Sequence, residues 1–301
     1  MSEEQASNWI EVVVPTSVAL ADGVAQHLVE TVSGAKDGVV VRKAEVVFWV
    51  DMKELEESLA EVRASLRTLQ GEGWAVQPDQ VRSGSMAPEE DWRDAWKQYF
   101  HVTRLTRQFV VVPSWEEYEP QAEDIIIKLD PGKAFGTGAH GSTQLVLEEM
   151  QALVDAGHPA PATLFDLGTG SGILAIAAAK LWPKTRIIAT DIDPMSIDAT
   201  RENAEDNGVH EQIEVSTTDL SEVPGRYPLV LANLQSHILR SLRDDLCPKV
   251  APGGLLLVSG ILTTQIQSLV ENFQEVEGIV CKSIRRSELD PQWSSAVLAR
   301  E

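Results

Sequence analysis

The stretch that decides the fold of most of this chain runs from Leu164 to Ala175 and reads Leu-Phe-Asp-Leu-Gly-Thr-Gly-Ser-Gly-Ile-Leu-Ala. An apolar run ends at Leu167, glycine then occupies every second position, and an alanine-rich apolar segment begins at Ile173. Glycines at such a turn let the backbone approach a ligand closely, and the first turn of a helix offers free N–H groups. The stretch therefore predicts a strand that turns directly into a helix, with a ligand at the turn.

The spacing of these glycines argues against a dinucleotide. In the pyrophosphate-binding pattern G-x-G-x-x-G the third glycine would fall at position 173, which is Ile173, whereas this chain has G-x-G-x-G ending at Gly172. Asp166 precedes the turn, and a carboxylate at the end of a strand disfavours a phosphate and suits a ligand that carries an amino group. We expect such a ligand beside Gly168.

Outward from this turn, strands and helices alternate regularly. The pattern predicts strands at 163–167, 185–190, 213–217, 229–232 and 255–259, and helices at 173–181, 194–207, 235–246 and 264–273. Two final strand-like runs, 279–284 and 293–298, have no helix between them and predict an antiparallel hairpin. Residues 125–301 are therefore expected to form an α/β domain with a doubly wound, mostly parallel seven-stranded sheet.

Two further carboxylates fall where such a sheet would bind a nucleoside. Asp191 lies at the end of the second strand, where its carboxylate can accept hydrogen bonds from both ribose hydroxyl groups. Asp219 follows the third strand, near the expected position of the adenine. Together with the glycine turn, these positions predict a site for S-adenosylmethionine. The methionine end of this donor would then lie over Gly168.

Two more segments carry candidate site residues. The first is the glycine-rich loop from Asp130 to Leu145, which contains Phe135 and His140 and ends at the helix-starting Ser142 and Thr143. We expect it to fold over the methionine part of the donor, although a flexible connector is the alternative. His140 either contacts the ligand or, as we favour, bonds within the loop.

The second segment is Leu-Ala-Asn ending at Asn233, followed by Leu234, Gln235 and Ser236. Because ligands of doubly wound sheets bind beyond the carboxyl ends of the strands, Asn233 is expected to point into the cleft. Its amide oxygen can orient an amine nucleophile, so we regard Asn233 as a candidate amine-orienting residue. The alternative interpretation is an ordinary turn residue.

The first 85 residues predict a separate small domain. Strands at 9–14, 39–41, 45–50 and about 74–81, with helices at 17–33 and after Leu55, give the order β-α-β-β-α-β of an α+β ferredoxin-like fold. Residues 86–124 are expected to form a linker with a helix at 89–100 and short strands at 101–106 and 109–112. The domain boundaries are therefore 1–85, 86–124 and 125–301.

The charge and the cysteine content of the chain indicate which partners, metals and cell compartment to expect. There are 25 Lys and Arg against 46 Asp and Glu, a net charge of −21, which disfavours a direct grip on nucleic acid and suits a basic protein partner. The two cysteines, Cys247 and Cys281, predict neither a disulfide framework nor a metal site. An acidic N-terminus and the lack of a long apolar run predict a cytoplasmic protein.

At this point the sequence resembles the PrmA family, whose members methylate amino groups of ribosomal protein L11 with S-adenosylmethionine. The resemblance rests on the glycine-rich loop, the glycine turn, the run Thr-Asp-Ile-Asp-Pro ending at Pro194, the segment ending at Asn233 and the run Pro-Gly-Gly-Leu-Leu-Leu-Val-Ser-Gly-Ile-Leu ending at Leu262. It implies a class I Rossmann-like methyltransferase domain behind a front module that recognises the ribosomal protein. It also implies four donor-binding residues: Thr143, Gly168, Asp191 and Asn233.

The chain departs from the family pattern at three places. The family usually has Thr-His-Pro-Thr-Thr where this chain has Ala-His-Gly-Ser-Thr ending at Thr143, and it commonly has cysteine at Thr169. After Asn233 it usually has Ile-Leu-Ala, where this chain has Leu234, Gln235 and Ser236. This last departure lies beside the acceptor and bears on which amine is methylated.

Two other functions stay open from the sequence. The same fold and donor could serve a related methyltransferase that acts on another protein or on a small amine, although a small amine would not require a separate recognition module. Alternatively, the front module could bind ribosomal RNA, but residues 1–88 carry 7 basic against 14 acidic side chains and lack an RNP-type motif. Methylation of L11, either free or within the large ribosomal subunit and without direct nucleic-acid contact, is the favoured prediction.

Overall fold

The computed structural model describes residues 9–18, 20–35, 39–71, 73–86, 101–130 and 141–301. Its internal contacts divide these residues into two units, which are treated separately: 9–86 with 101, and 102–130 with 141–301. The predicted linker helix at 89–100 and the loop residues 131–140, including Phe135 and His140, lie outside the described residues. Among the described helices, none combines the length and apolar character needed to cross a bilayer.

The first unit is a four-stranded antiparallel sheet with two helices. Its elements are β1 (Trp9–Pro15), α1 (Ala21–Thr31), β2 (Val40–Arg42), β3 (Glu45–Asp51), α2 (Leu55–Gly71) and β4 (Arg82–Met86), and the strand order is β2-β3-β1-β4. This is the element order that the sequence predicts for a split βαβ arrangement. Its core joins alternate valines of β1 and β3 to the apolar faces of both helices, including Val12, Leu28, Phe48 and Leu66.

The last strand of this unit differs from the prediction. We expected it at about 74–81, but β4 comprises Arg82–Met86, a Ser-Gly-Ser segment that resembles a loop in composition. It pairs antiparallel with β1, with Val13 opposite Arg82 and Ile10 opposite Met86. A Cβ at Gly84 would lie 2.3 Å from Glu11 Oε2, so the glycine leaves room for that side chain. Pairing with a central strand, rather than β-propensity, therefore decides where β4 lies.

The second unit contains the predicted seven-stranded sheet, and the predicted fold class is confirmed. Its strands are β8 (Thr163–Leu167), β9 (Arg186–Thr190), β10 (Ile213–Ser216), β11 (Tyr227–Asn233), β12 (Val250–Leu262), β13 (Ile279–Arg286) and β14 (Trp293–Arg300), in the order β10-β9-β8-β11-β12-β14-β13. The first five strands of this order run parallel, and β14 is antiparallel to both of its neighbours. The final pair is the expected antiparallel hairpin.

Helices cover both faces of this sheet. They are α3 (Gly141–Asp155), α4 (Ile173–Leu181), α5 (Pro194–Asp206), α6 (Ser236–Leu246) and α7 (Ile266–Gln274). One apolar cluster contains α4 with the inner side of α3, and the other contains α6 and α7. Strands between two apolar layers read as nearly continuous apolar runs, which explains why the sequence pattern located them closely.

A small three-stranded sheet also belongs to the second unit. It is formed by β5 (Thr103–Arg104), β6 (Phe109–Val112) and β7 (Ile125–Lys128), with β6 parallel to β7. Phe109 and Ile127 are fully buried in the cluster that contains α4. The unit therefore starts before the predicted boundary at residue 125, because strands from the predicted linker share its core.

Candidate active site

The glycine turn lies at the carboxyl end of β8 and leads into α4. Gly168, Gly170 and Gly172 all have positive φ, of 70°, 57° and 81°, a region that favours glycine. The amides of Gly168 and Thr169 both donate to the carbonyl oxygen of Thr190, at 2.8 and 3.0 Å. These bonds tie the turn to the end of the neighbouring strand β9.

Asp191 is the residue directly after β9, and its carboxylate accepts a hydrogen bond from the glycine turn. Its Oδ2 accepts the Gly170 amide at 2.9 Å, and its Oδ1 accepts the Asp193 amide at 3.0 Å. Burial raises the pKa of this carboxyl, and the two backbone amides oppose that shift. Both oxygens retain lone pairs, so the carboxylate can also accept hydrogen bonds from hydroxyl groups of a ligand.

Asp166 is the most buried carboxyl of the site, with 1% of its surface exposed. Its Oδ2 accepts the Thr169 hydroxyl at 2.7 Å, while its Oδ1 is buried without a hydrogen-bond partner among the described residues. Burial raises the pKa of Asp166 to about 7; the Thr169 hydroxyl opposes this rise and the nearby charge of Asp191 adds to it. Thr169, one of the departures from the family pattern, thus has a defined partner.

Helix α5 supports the turn through contacts that the sequence reasoning missed. The Thr200 hydroxyl donates to the Gly170 carbonyl at 2.8 Å, and Asn203 Nδ2 donates to the Ser171 carbonyl at 2.8 Å. A Cβ at Gly172 would lie 2.8 Å from Thr200 Cγ2, so the turn and helix approach each other closely. The signal available in the sequence was a polar residue, Thr200, on the buried side of a helix.

Asn233 and Thr143 meet although 90 positions separate them. Asn233 ends β11, and its Nδ2 donates to the hydroxyl of Thr143 at 3.3 Å. Thr143 lies in the first turn of α3 and is 2% exposed. Asn233 Oδ1 is buried and has no hydrogen-bond partner among the described residues. The structure therefore brings together two predicted site residues and leaves an acceptor atom free for a ligand.

The segment that follows Asn233 is hydrogen-bonded to β12 at a bulge in that strand. The Leu234 amide donates to the Ser259 carbonyl at 3.1 Å, and the Ser259 hydroxyl donates to the Ser142 carbonyl at 2.9 Å. Gly260 has φ 80°, and a Cβ there would lie 2.7 Å from the Leu234 carbonyl oxygen. A Cβ at Gly168 would lie 2.5 Å from Leu234 Cδ2. Leu234 therefore packs between two glycines, a contact that the sequence reasoning did not anticipate.

Asp219 has a different environment from the other predicted carboxylates. It is exposed, after β10, and its Oδ1 accepts both the hydroxyl and the amide of Ser221, at 2.6 and 2.9 Å. These hydrogen bonds lower its pKa. Its hydrogen bonds therefore go to its own turn, and the structure does not link it to Asp191.

The donor and acceptor groups at this edge fit S-adenosylmethionine. The ligand carries a cationic amino group and two ribose hydroxyls, and the edge offers carboxylate and amide oxygens with unused lone pairs at Asp166, Asp191 and Asn233. Three of the five turn residues, Gly168, Gly170 and Gly172, are glycines, which let the backbone approach a ligand closely. Thr143, Gly168, Asp191 and Asn233 could hold the donor here.

Comparisons with known proteins agree on one family. A family model described as "Ribosomal protein L11 methyltransferase (PrmA)" matches residues 2–300. Two relatives named ribosomal protein L11 methyltransferase are each 37% identical. The one from Geobacter metallireducens aligns over 93% of this chain and 95% of its own length, and the one from Geobacter sulfurreducens over 97% and 98%. A crystal structure of ribosomal protein L11 methylase from Lactobacillus delbrueckii subsp. bulgaricus is 36% identical, covers 67% of this chain and 100% of its own, and has a TM-score of 0.59.

Proposed function

Because this chain belongs to the PrmA family and is a methyltransferase, we propose that it transfers methyl groups from S-adenosylmethionine to amino groups of ribosomal protein L11. The match extends over nearly the whole chain and over nearly the whole length of the two Geobacter relatives. The proposal therefore covers the front unit as well as the sheet that carries the candidate site.

The observation that carries the donor assignment is the bond between Asp191 and the glycine turn. Because Asp191 Oδ2 accepts the Gly170 amide, the carboxylate is held beside the turn before any ligand arrives. We assign the ribose hydroxyls to Asp191 and the methionine end to the region of Gly168, Thr143 and Asn233. Bound there, S-adenosylmethionine supplies a methyl group on a positively charged sulfur.

The chain's own contribution to transfer is orientation of the amine. A lysine amine has a pKa near 10.4 in water, so the reactive neutral form must be favoured by desolvation at the site. Asn233 Oδ1 can accept an N–H of that neutral amine, while its Nδ2 bond to Thr143 sets the direction of the amide. An amide is not a base, so the amine's proton passes to water. Positioning of this kind supplies roughly 7–11 kcal/mol of a barrier in favourable cases.

The net charge of the chain also supports L11 as the protein that accepts the methyl group. A net charge of −21 suits a basic, lysine-bearing protein and disfavours a direct grip on RNA. We propose that the protein acts in the cytoplasm, that the front unit recognises L11, and that any contact with the large ribosomal subunit is made through L11.

The test is transfer of labelled methyl groups. Purified protein is incubated with donor labelled in the methyl group and with unmethylated L11, free or in ribosomes, and the labelled product is identified by mass spectrometry. We expect label on L11 amines, and far less of it when Asp191→Ala replaces the unaltered protein at a donor concentration near the Kd of the unaltered protein. Label on another ribosomal protein or on RNA would contradict the substrate assignment.

A further inference from the structure

Ser259, in β12, is hydrogen-bonded to both segments of the chain that carry Asn233 and Thr143. Its Cα lies opposite that of Asn233 in the parallel pairing of β11 with β12. Its carbonyl oxygen accepts the Leu234 amide at 3.1 Å, and its hydroxyl donates to the Ser142 carbonyl at 2.9 Å. One residue therefore bonds the chain neighbours of two predicted site residues that are 90 positions apart.

The pleat of β12 directs the Ser259 side chain toward α3. Leu257, on the same face of the strand, packs in the apolar cluster that contains α4 and the inner side of α3. The pairing with β14 then shifts between Val258 and Ile261, so that a bulge contains Ser259. Bulges are frequent next to active sites, where they redirect a side chain or end regular pairing. Ser259 is fully buried, so solvent does not compete for its bond to Ser142.

Apolar packing alone does not place the first turn of α3 with the accuracy that a hydrogen bond requires. Residues of α3 such as Val146 pack in the same cluster as Leu257, but apolar contacts are non-directional. The Ser259 hydroxyl bond is directional, and it fixes the backbone next to Thr143. The bond from Asn233 Nδ2 to Thr143 is 3.3 Å long, at the upper limit for N–H···O. A small displacement of α3 would therefore break it.

We propose that Ser259 is a positioning residue of the donor site, whose hydroxyl holds the first turn of α3 so that Thr143 meets Asn233 before the donor binds. This inference rests on the proposed function, in which Thr143 and Asn233 help to hold the methionine end of S-adenosylmethionine. Ser259 acts through these two residues. A site that is arranged in advance loses less conformational freedom on binding, and its affinity for the donor is correspondingly higher.

The test is a double-mutant cycle in donor affinity, measured by calorimetric titration with S-adenosylmethionine. Ser259→Ala removes the hydroxyl and keeps the backbone bond to Leu234. It should weaken donor binding about fivefold, the factor that corresponds to one hydrogen bond of ordinary strength. In a Thr143→Val background the same substitution should weaken binding less than about twofold, because the residue through which Ser259 acts has already lost its hydroxyl.

Thr185→Val is the matched control. Thr185 is 1% exposed, and its hydroxyl donates to the Pro161 carbonyl at 2.7 Å, a buried bond of the same kind. It precedes β9, at the amino edge of the sheet and away from the site. Thr185→Val should shift the midpoint of urea denaturation about as much as Ser259→Ala does, and it should leave donor affinity unchanged. In steady-state methylation of L11, Ser259→Ala should raise the KM for the donor and leave the KM for L11 unchanged.

Three results would overturn the inference. They are unchanged donor affinity in Ser259→Ala, an undiminished effect of Ser259→Ala in the Thr143→Val background, and an equal loss of donor affinity in Thr185→Val. The second would mean that Ser259 does not act through Thr143, and the third that the loss reflects general destabilisation. Absence of donor binding by the unaltered protein would instead contradict the proposed function, so the two failures are distinguishable.

Discussion

In the first unit carboxylates are paired with arginines, whereas at the carboxyl edge of the large sheet they are held by neutral donors. Glu11 bonds Arg42 at 2.5 Å and Glu45 bonds Arg82 at 2.8 Å, and all four side chains are partly exposed. Asp166 and Asp191 are more buried, and their hydrogen bonds come from a hydroxyl and from backbone amides. The first arrangement is typical of a solvent-exposed surface, whereas in the second burial raises the pKa of both carboxyls and the hydrogen bonds only partly oppose that rise.

The difference indicates which region is built for stability and which for binding. A buried carboxylate without a cation is costly, and such groups concentrate at functional sites. The same edge contains the glycines with positive φ and the free oxygens of Asp166 and Asn233. Substitutions there should therefore have large effects on binding or stability, and substitutions of the paired surface carboxylates should have small ones.

The largest effect is expected for Asp191→Ala. Loss of a charged acceptor for two ribose hydroxyls should weaken binding of S-adenosylmethionine by at least about a hundredfold, since hydrogen bonds to charged groups contribute about 1.5–3 kcal/mol each. Calorimetric titration measures the affinity. Asp198→Ala, in an exposed pair with Arg201 on α5, is the matched control and should bind normally. Equal affinity in Asp191→Ala would remove this residue from the site.

A smaller effect, on stability, is expected for Gly260→Ala. The residue has φ 80° and its new Cβ would press on the Leu234 carbonyl, so we expect a loss of about 2–3 kcal/mol in the free energy of unfolding. Gly253→Ala is the control, because it lies in the same strand with φ 72° and open space around its Cβ. It should lose about 1 kcal/mol by urea denaturation. Equal losses would mean that the close approach to Leu234 is unimportant.

Asp166→Asn should change how stability depends on pH. The folded-state pKa of about 7 exceeds the ordinary value near 3.9, so the folded protein holds this proton more tightly than the unfolded chain. The contribution of Asp166 to stability is therefore full below pH 4 and is lost as the pH rises to about 7. Relative to the unaltered protein, Asp166→Asn should gain about 2–3 kcal/mol between pH 5 and pH 8. Thermal unfolding at both pH values tests this, and a constant difference would show that Asp166 is not a buried, titrating group.

The smallest effect is expected in the first unit. Arg82→Gln removes an exposed ion pair with Glu45 and should cost less than about 1 kcal/mol of stability, as surface pairs usually do. Donor affinity should not change. A loss comparable to that of Gly260→Ala, measured by the same urea denaturation, would show that the contrast between the two regions is false.

Much of the fold could be predicted because its signals are local. The strands and helices of the large sheet follow apolar periodicity, and their predicted bounds agree with the structure to within a few residues at most ends. The exceptions depend on distant partners. β4 lies at Arg82–Met86 because it pairs with β1, and β6 joins the second unit because Phe109 and Ile127 share its core. No property of either segment taken alone indicates this.

Some features of the candidate site could likewise be predicted from local sequence, and others depend on distant partners. The sequence by itself determined the glycine turn and the place of Asp191, because glycine conformation and position after a strand are local properties. Only the tertiary structure decided that Thr143 meets Asn233, that Leu234 packs against Gly168 and Gly260, and that Thr200 supports the turn. It also decided the raised pKa of Asp166, because the free energy of a charge depends on what surrounds it, and the surroundings are assembled from distant parts of the chain.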